Sequence, residues 1–238
     1  MEERILERKE NRKDDLYYIF LWGALWGIFE ATVGYLLHLI AFSMSWLVWY
    51  PVACFFMANV YRATNKISSI IWVGILCSSI KLLNLMLPGR IDKVINPAIS
   101  IVFEALAMAA IIYVFQRMKS GKSSNIIQNA GMILFMNTGW RLLYTVYLLF
   151  IVPDWIREVS VAADTGKFIT FFVVQNLMTS ILITIGYYFR SFLFKPIRLI
   201  EKKIDSSSNR IPLRLRPVIR SSTICILLAA NIALDLFL

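Results

Sequence analysis

The sequence predicts an all-α, polytopic transmembrane helix bundle of six to seven spans. Three observations carry that expectation. Hydrophobic residues make up 58% of the 238 and charged residues only 17%, more apolar surface than a soluble domain of this length hides. The apolar residues come in runs near the ~20 residues that a helix needs to cross a bilayer. Lys and Arg gather between those runs, mainly on alternate connections, as the positive-inside rule requires. The runs are apolar all round and much longer than barrel strands, which excludes a β-barrel.

Seven segments qualify in order: 16–41, 43–61, 68–87, 97–116, 126–152, 168–190 and 218–238. Before them, 1–15 is a charged tail, MEERILERKENRKDD. The run after it is too long for a signal-peptide core and lacks a clear cleavage site, so the first helix is expected to remain as an anchor. The second segment is the weakest, because it contains Pro51 and follows the first with almost no loop. It reads either as the return arm of a helical hairpin or as partly re-entrant. Between the third and fourth, LPGRIDKVINPAIS stops one helix at Pro88 and Gly89 and starts the next with Pro97 in first position. The seventh is short and reads either as a span or as an interfacial helix. Residues 16–195 thus form a six-helix membrane core. Residues 196–238 add a basic cytoplasmic linker and a terminal apolar helix. Ile197, Ile200 and Ile204 lie on one side of a short amphipathic stretch in that linker. It reads as a loop touching anionic head groups or as a docking site for a cytoplasmic partner.

If all seven span, nineteen Lys and Arg residues fall on the side of the N terminus and four on the other. The N terminus is therefore expected in the cytoplasm, in a multi-pass protein of the cell membrane. The net charge of +10 is explained by this topology and by anionic lipid, so no nucleic-acid partner is expected.

Charges inside spans are expensive and mark functional candidates. Four stand out: Glu30, Lys81, Glu104 and Arg141. Counted at 1.5 Å per residue, they lie roughly 9–17 Å below the outer surface. Asn84, Asn137, Gln175, Asn176 and Thr179 fall in the same band, with His38 nearer the rim. Asn137, Arg141 and Tyr144 form one stripe at helical spacing. The expected site is a pocket in the outer half. Arg141 and Lys81 would hold a carboxylate or phosphate, and Glu30 and Glu104 an amine. Asn84, Asn137 and Asn176 would give neutral hydrogen bonds, while Tyr144 and Trp140 flank a ring. Arg90 and Lys93 in the third connection would cap the ligand, or simply belong to a polar turn. Two other readings stay open: buried pairs such as Glu30 with Arg141 and Lys81 with Glu104 that only fix register, and a proton or ion pathway.

Catalytic signals are absent from the sequence. One histidine cannot build a multi-His metal site, and there is no HExxH or GxSxG. Ser120-Gly121-Lys122-Ser123 ends like a P-loop, but Gln116 stands where its first glycine belongs. Cys54, Cys77 and Cys225 sit in apolar runs without metal-site spacing and read as buried structural thiols. No metal and no cofactor are expected, and the chain is expected not to be an enzyme. The rival classes are a membrane-embedded enzyme acting on a lipid or lipid-linked substrate, with Glu30 or Glu104 as base, and a structural membrane subunit.

Gly23, Gly27 and Ala31 repeat at four-residue spacing in LWGALWGIFEA. Such a small-residue stripe lets another helix approach closely, either within the chain or in another subunit. With this stripe, the outer polar band and the cytoplasmic N terminus, residues 16–195 resemble the substrate-binding S component of an energy-coupling factor (ECF) transporter. That resemblance implies capture of a small polar solute, vitamin-like or zwitterionic or anionic, from outside. It also implies a transmembrane coupling subunit docked on Gly23, Gly27 and Ala31, and ATPase subunits that supply energy. The chain departs from the family in the glycines of the stripe, which is typically alanine there, and in the added linker and seventh helix.

Overall fold

A computed structural model describes residues 2–39, 44–86, 91–118, 125–158, 160–189 and 215–237. It is an all-α bundle. The helices are α1 (Glu2–Leu39), α2 (Trp46–Thr64), α3 (Ile67–Leu82), α4 (Asp92–Met118), α5 (Ile126–Phe150), the short α6 (Asp154–Arg157) and α7 (Thr165–Ile169), α8 (Asn176–Tyr188) and α9 (Arg216–Phe237). A 3-10 turn, Leu83–Met86, ends α3, and a π-helical stretch, Thr170–Gln175, joins α7 to α8. Among the described residues, six stretches are long and apolar enough to cross a membrane: Asp14–Gly34, Ile67–Met86, Asp92–Met118, Ile126–Phe150, Thr165–Tyr188 and Pro217–Leu234. The chain is thus multi-pass by length and composition.

The six stretches leave out α2, and its burial explains why. Tyr50, Ala53, Cys54, Phe56, Met57, Asn59, Val60 and Thr64 are buried, and α2 packs against α1, α3, α4 and α8. A helix surrounded by helices need not be as apolar as one bathed in lipid. Lys66, just beyond the end of α2, pairs with Asp15 near the start of α1, so α2 runs antiparallel to α1 through the depth of the bundle. Gln116 late in α4 reaches Tyr61 late in α2, and Arg220 early in α9 pairs with Asp14. These contacts define one end of the bundle, called the base here. From the base the passes alternate: α1, α3, α5 and α9 leave it, while α2, α4 and α8 return to it.

Contacts close a ring in the order α1, α3, α4, α5, α8, α2 and back to α1, with α9 outside it along α1. The terminal helix therefore runs along α1. Arg220 sits over the Tyr17 ring, and Asn231 donates to the Ala24 carbonyl at 2.9 Å. Eleven residues separate Arg220 from Asn231, about 16 Å of helix.

Two helix starts differ from the sequence expectation. α4 begins at Asp92, so Pro97 lies inside the helix and not at its first position. It costs the bond to the Lys93 carbonyl, a loss confined to the second turn. The sixth core helix begins at Thr165, where Asp164 caps it by accepting from the Lys167 amide at 3.1 Å. Cys54 and Cys77 are buried free thiols as expected, whereas Cys225 is exposed on α9.

Candidate functional site

Each of the four in-span charges comes from a different helix, and all four line one cavity. Glu30 is on α1, Lys81 on α3, Glu104 on α4 and Arg141 on α5, and the cavity they share measures about 680 Å³. It lies toward the end opposite the base, since Trp46 at the start of α2 and Asp92 and Lys93 at the start of α4 also line it. Asn84 enters from the 3-10 turn, Tyr144 from α5, and Phe171 and Gln175 from the π-helical stretch. An extra residue per turn, as in π geometry, re-aims side chains and recurs at functional sites.

Aromatic rings form much of the wall. The Arg141 guanidinium carbon stands 4.6 Å from the Trp140 ring centroid and 4.5 Å from that of Phe171. Trp140 and Phe171 meet edge to face at 5.7 Å, and Tyr50 lies 5.4 Å from Trp140. These rings hold the guanidinium in place through cation–π attraction. Trp46 and Trp49 complete the aromatic side of the lining.

The charges do not neutralise one another directly. Among the described residues, no ion pair joins any two of Glu30, Lys81, Glu104 and Arg141. The proposed register pairs, Glu30 with Arg141 and Lys81 with Glu104, are thus not formed. Arg141 is 1% exposed, and among the described residues its one hydrogen bond is a long 3.4 Å contact from Nη2 to Thr179 Oγ1. Its Nε and Nη1 are buried without a partner, as is the Tyr50 hydroxyl. Buried donors without acceptors are rare because each costs its full desolvation.

Two expected ligand-binding amides are placed elsewhere. Asn137 is fully buried and does not line the cavity. Its amide donates to the Asn176 carbonyl at 2.9 Å, Thr179 Oγ1 at 2.6 Å and Ser180 Oγ at 2.9 Å, and its oxygen accepts from Trp140 Nε1 at 2.8 Å. Asn176 donates to Thr138 Oγ1 at 2.8 Å. The two asparagines therefore clamp α5 to α8 behind the cavity wall. Their hydrogen-bonding groups are spent on protein, so they are not free for a ligand.

The small-residue stripe on α1 also needs correction. A Cβ at Gly23 would stand 2.6 Å from Leu76 Cδ2 of α3, and one at Gly27 would stand 2.5 Å from Asn231 Oδ1 of α9 and 3.1 Å from Ile80 Cγ2. Ala31 lines the cavity. The chain's own α3 and α9 fill the space over both glycines, so the stripe is an internal contact and not a free docking face. Of the capping residues, Lys93 lines the cavity. Arg90 lies outside the described residues, as does the His38 side chain.

Sequence reasoning missed Trp46, Trp49, Tyr50, Asp92, Asn96 and Phe171 as lining residues. The tryptophans of Trp-Leu-Val-Trp-Tyr at the start of α2 were a readable signal. Nothing local marks Phe171, whose direction depends on the π geometry. A second chamber of about 620 Å³ adjoins the first, sharing Asp92, Asn96, Tyr144 and Gln175, and is walled by Ser160, Val161 and Lys167. Among the described residues, no group of three or more His, Cys, Asp or Glu side chains gathers as a metal site.

Compared with known proteins, the chain matches no family model, no curated protein and no solved structure.

Proposed function

We propose that this chain is a membrane-embedded solute-binding subunit, capturing a small polar molecule in the cavity between α1, α2, α3, α4 and α5. One observation carries the reading. Charged side chains from four helices face a common space of about 680 Å³ without pairing among the described residues. A purely structural network would close such charges into pairs, because isolated charges in a low-dielectric interior are costly. The volume lies within the range of small-molecule sites, about 300–1,000 Å³.

The distribution of Lys and Arg supports a cytoplasmic base and a cavity that faces outside the cell membrane. The resemblance to ECF S components supports import: the chain binds solute and performs no bond chemistry, and a coupling subunit with ATPase subunits drives release. Docking in that assembly uses a face other than Gly23 and Gly27. Anionic lipid head groups meet the basic connections at the base.

Native mass spectrometry of the gently purified chain tests this reading. A co-purifying small molecule is expected on the wild type and is expected to be lost from Arg141→Gln at unchanged thermal stability. A chain that carries no solute and is not stabilised by any extract fraction of small molecules contradicts it.

A further inference from the structure

We infer that the captured solute is a zwitterion bearing a flat ring, its anionic group on Arg141 and Tyr50 and its cationic nitrogen on Glu104. The inference rests on the solute-capture reading and adds the ligand's charge pattern to it.

Among the described residues, the lining carries three acidic side chains, Glu30, Asp92 and Glu104, and three basic ones, Lys81, Lys93 and Arg141. A singly charged guest gains at one wall of such a chamber and loses at the other, whereas a guest with both charges gains at both. Position matters as well as number. Arg141 and Tyr50 line the chamber, and Arg141 Nε and Nη1 and the Tyr50 hydroxyl are buried polar groups without a hydrogen-bond partner among the described residues. They call for an oxygen that accepts, and a carboxylate or phosphate suits a guanidinium best. Glu104 is the complement. It is 6% exposed, lines the same space and has no hydrogen bond or ion pair among the described residues. Its carboxyl oxygens accept hydrogen bonds, so it suits a guest that brings a donor or a cation.

Arg141 and Glu104 face one cavity from adjacent helices without touching. The guest's two charges would complete both at once, which explains why the two protein charges stay apart. The wall between them is aromatic. Trp140 and Phe171 hold Arg141 in place, while Tyr50, Tyr144, Trp46 and Trp49 present ring surface to the chamber. Ring-on-ring contact is favourable beyond area burial, so a guest that carries a planar ring fits this lining better than one with a branched aliphatic body.

Calorimetric titration of the full chain in lipid nanodiscs with L-phenylalanine, phenethylamine and 3-phenylpropionate tests the inference, because the three share a ring and differ in charge. Phenylalanine is expected to bind at least tenfold more tightly than either relative. Arg141→Gln is expected to bind phenylalanine and phenethylamine alike, and Glu104→Gln to bind phenylalanine and 3-phenylpropionate alike. Equal affinity for the three, or preference for a singly charged one, overturns the zwitterion assignment and leaves solute capture standing. If none of the three binds, the solute recovered by native mass spectrometry decides. A molecule with both charges supports the inference, and a molecule with charge of one sign overturns it. Absence of both probe binding and a recovered solute overturns the capture reading and the inference together.

Discussion

Asn137 and Arg141 stand one turn apart on α5 and have opposite roles. Asn137 satisfies its polar groups on α8 and Trp140, while Arg141 keeps two guanidinium nitrogens without a partner among the described residues. Asn137→Ala removes a clamp between α5 and α8 and strands its partners. It is expected to lower unfolding stability in detergent by about 1–3 kcal/mol, measured by thermal or denaturant melts. Arg141→Gln gives up the cation–π contacts with Trp140 and Phe171 but also removes a buried charge with unpartnered nitrogens, so its main expected effect falls on solute retention and the melting temperature stays within a few degrees. Equal destabilisation by both variants would make Arg141 structural. At this scale the sequence showed that the polar residues share a depth, because charge and position along a span are linear properties. It did not show which amides face the cavity and which face a neighbouring helix. Asn137 shares its stripe with Arg141 and Tyr144, yet it turns toward α8, and only the placement of that helix decides this.

At the scale of elements, close helix approach rests on particular small residues. Gly74 on α3 faces Ala105 on α4, and a Cβ there would stand 2.5 Å from the Ala105 Cβ. Neither atom can rotate away, so α3 and α4 must part. Gly74→Ala is expected to destabilise the chain by about 1–3 kcal/mol, the usual range for overpacking. Gly131→Ala on α5 meets nothing within 4 Å and is expected to be neutral or slightly stabilising, since alanine is the better helix former. Comparing the two melts checks the helix packing directly. The sequence marked the small-residue pattern on α1 but not its partner. α9 covers Gly27 through Asn231, whose amide reaches the Ala24 carbonyl, and this pairing joins residues more than two hundred positions apart. The helix count was legible because apolar runs of about twenty residues have one stable form in lipid. Pro51 and Pro97 misled the reading of boundaries. A proline in an early turn removes a single backbone bond, and packing on both sides of α2 and α4 compensates for it.

At the scale of the whole molecule, seven helices traverse the bundle in alternation and leave a cavity toward the end away from the base. The proposed function requires this cavity to be reached by water from outside the cell and closed toward the cytoplasm. Substituted-cysteine labelling tests it most directly. In a chain whose Cys54, Cys77 and Cys225 are replaced, Ser100→Cys probes the cavity lining and Arg117→Cys probes the base. With a membrane-impermeant thiol reagent, the account predicts labelling of Ser100→Cys in intact cells and of Arg117→Cys only after permeabilisation. Ser100→Cys that stays unlabelled, or that reacts only once the cytoplasmic side is opened, would contradict it.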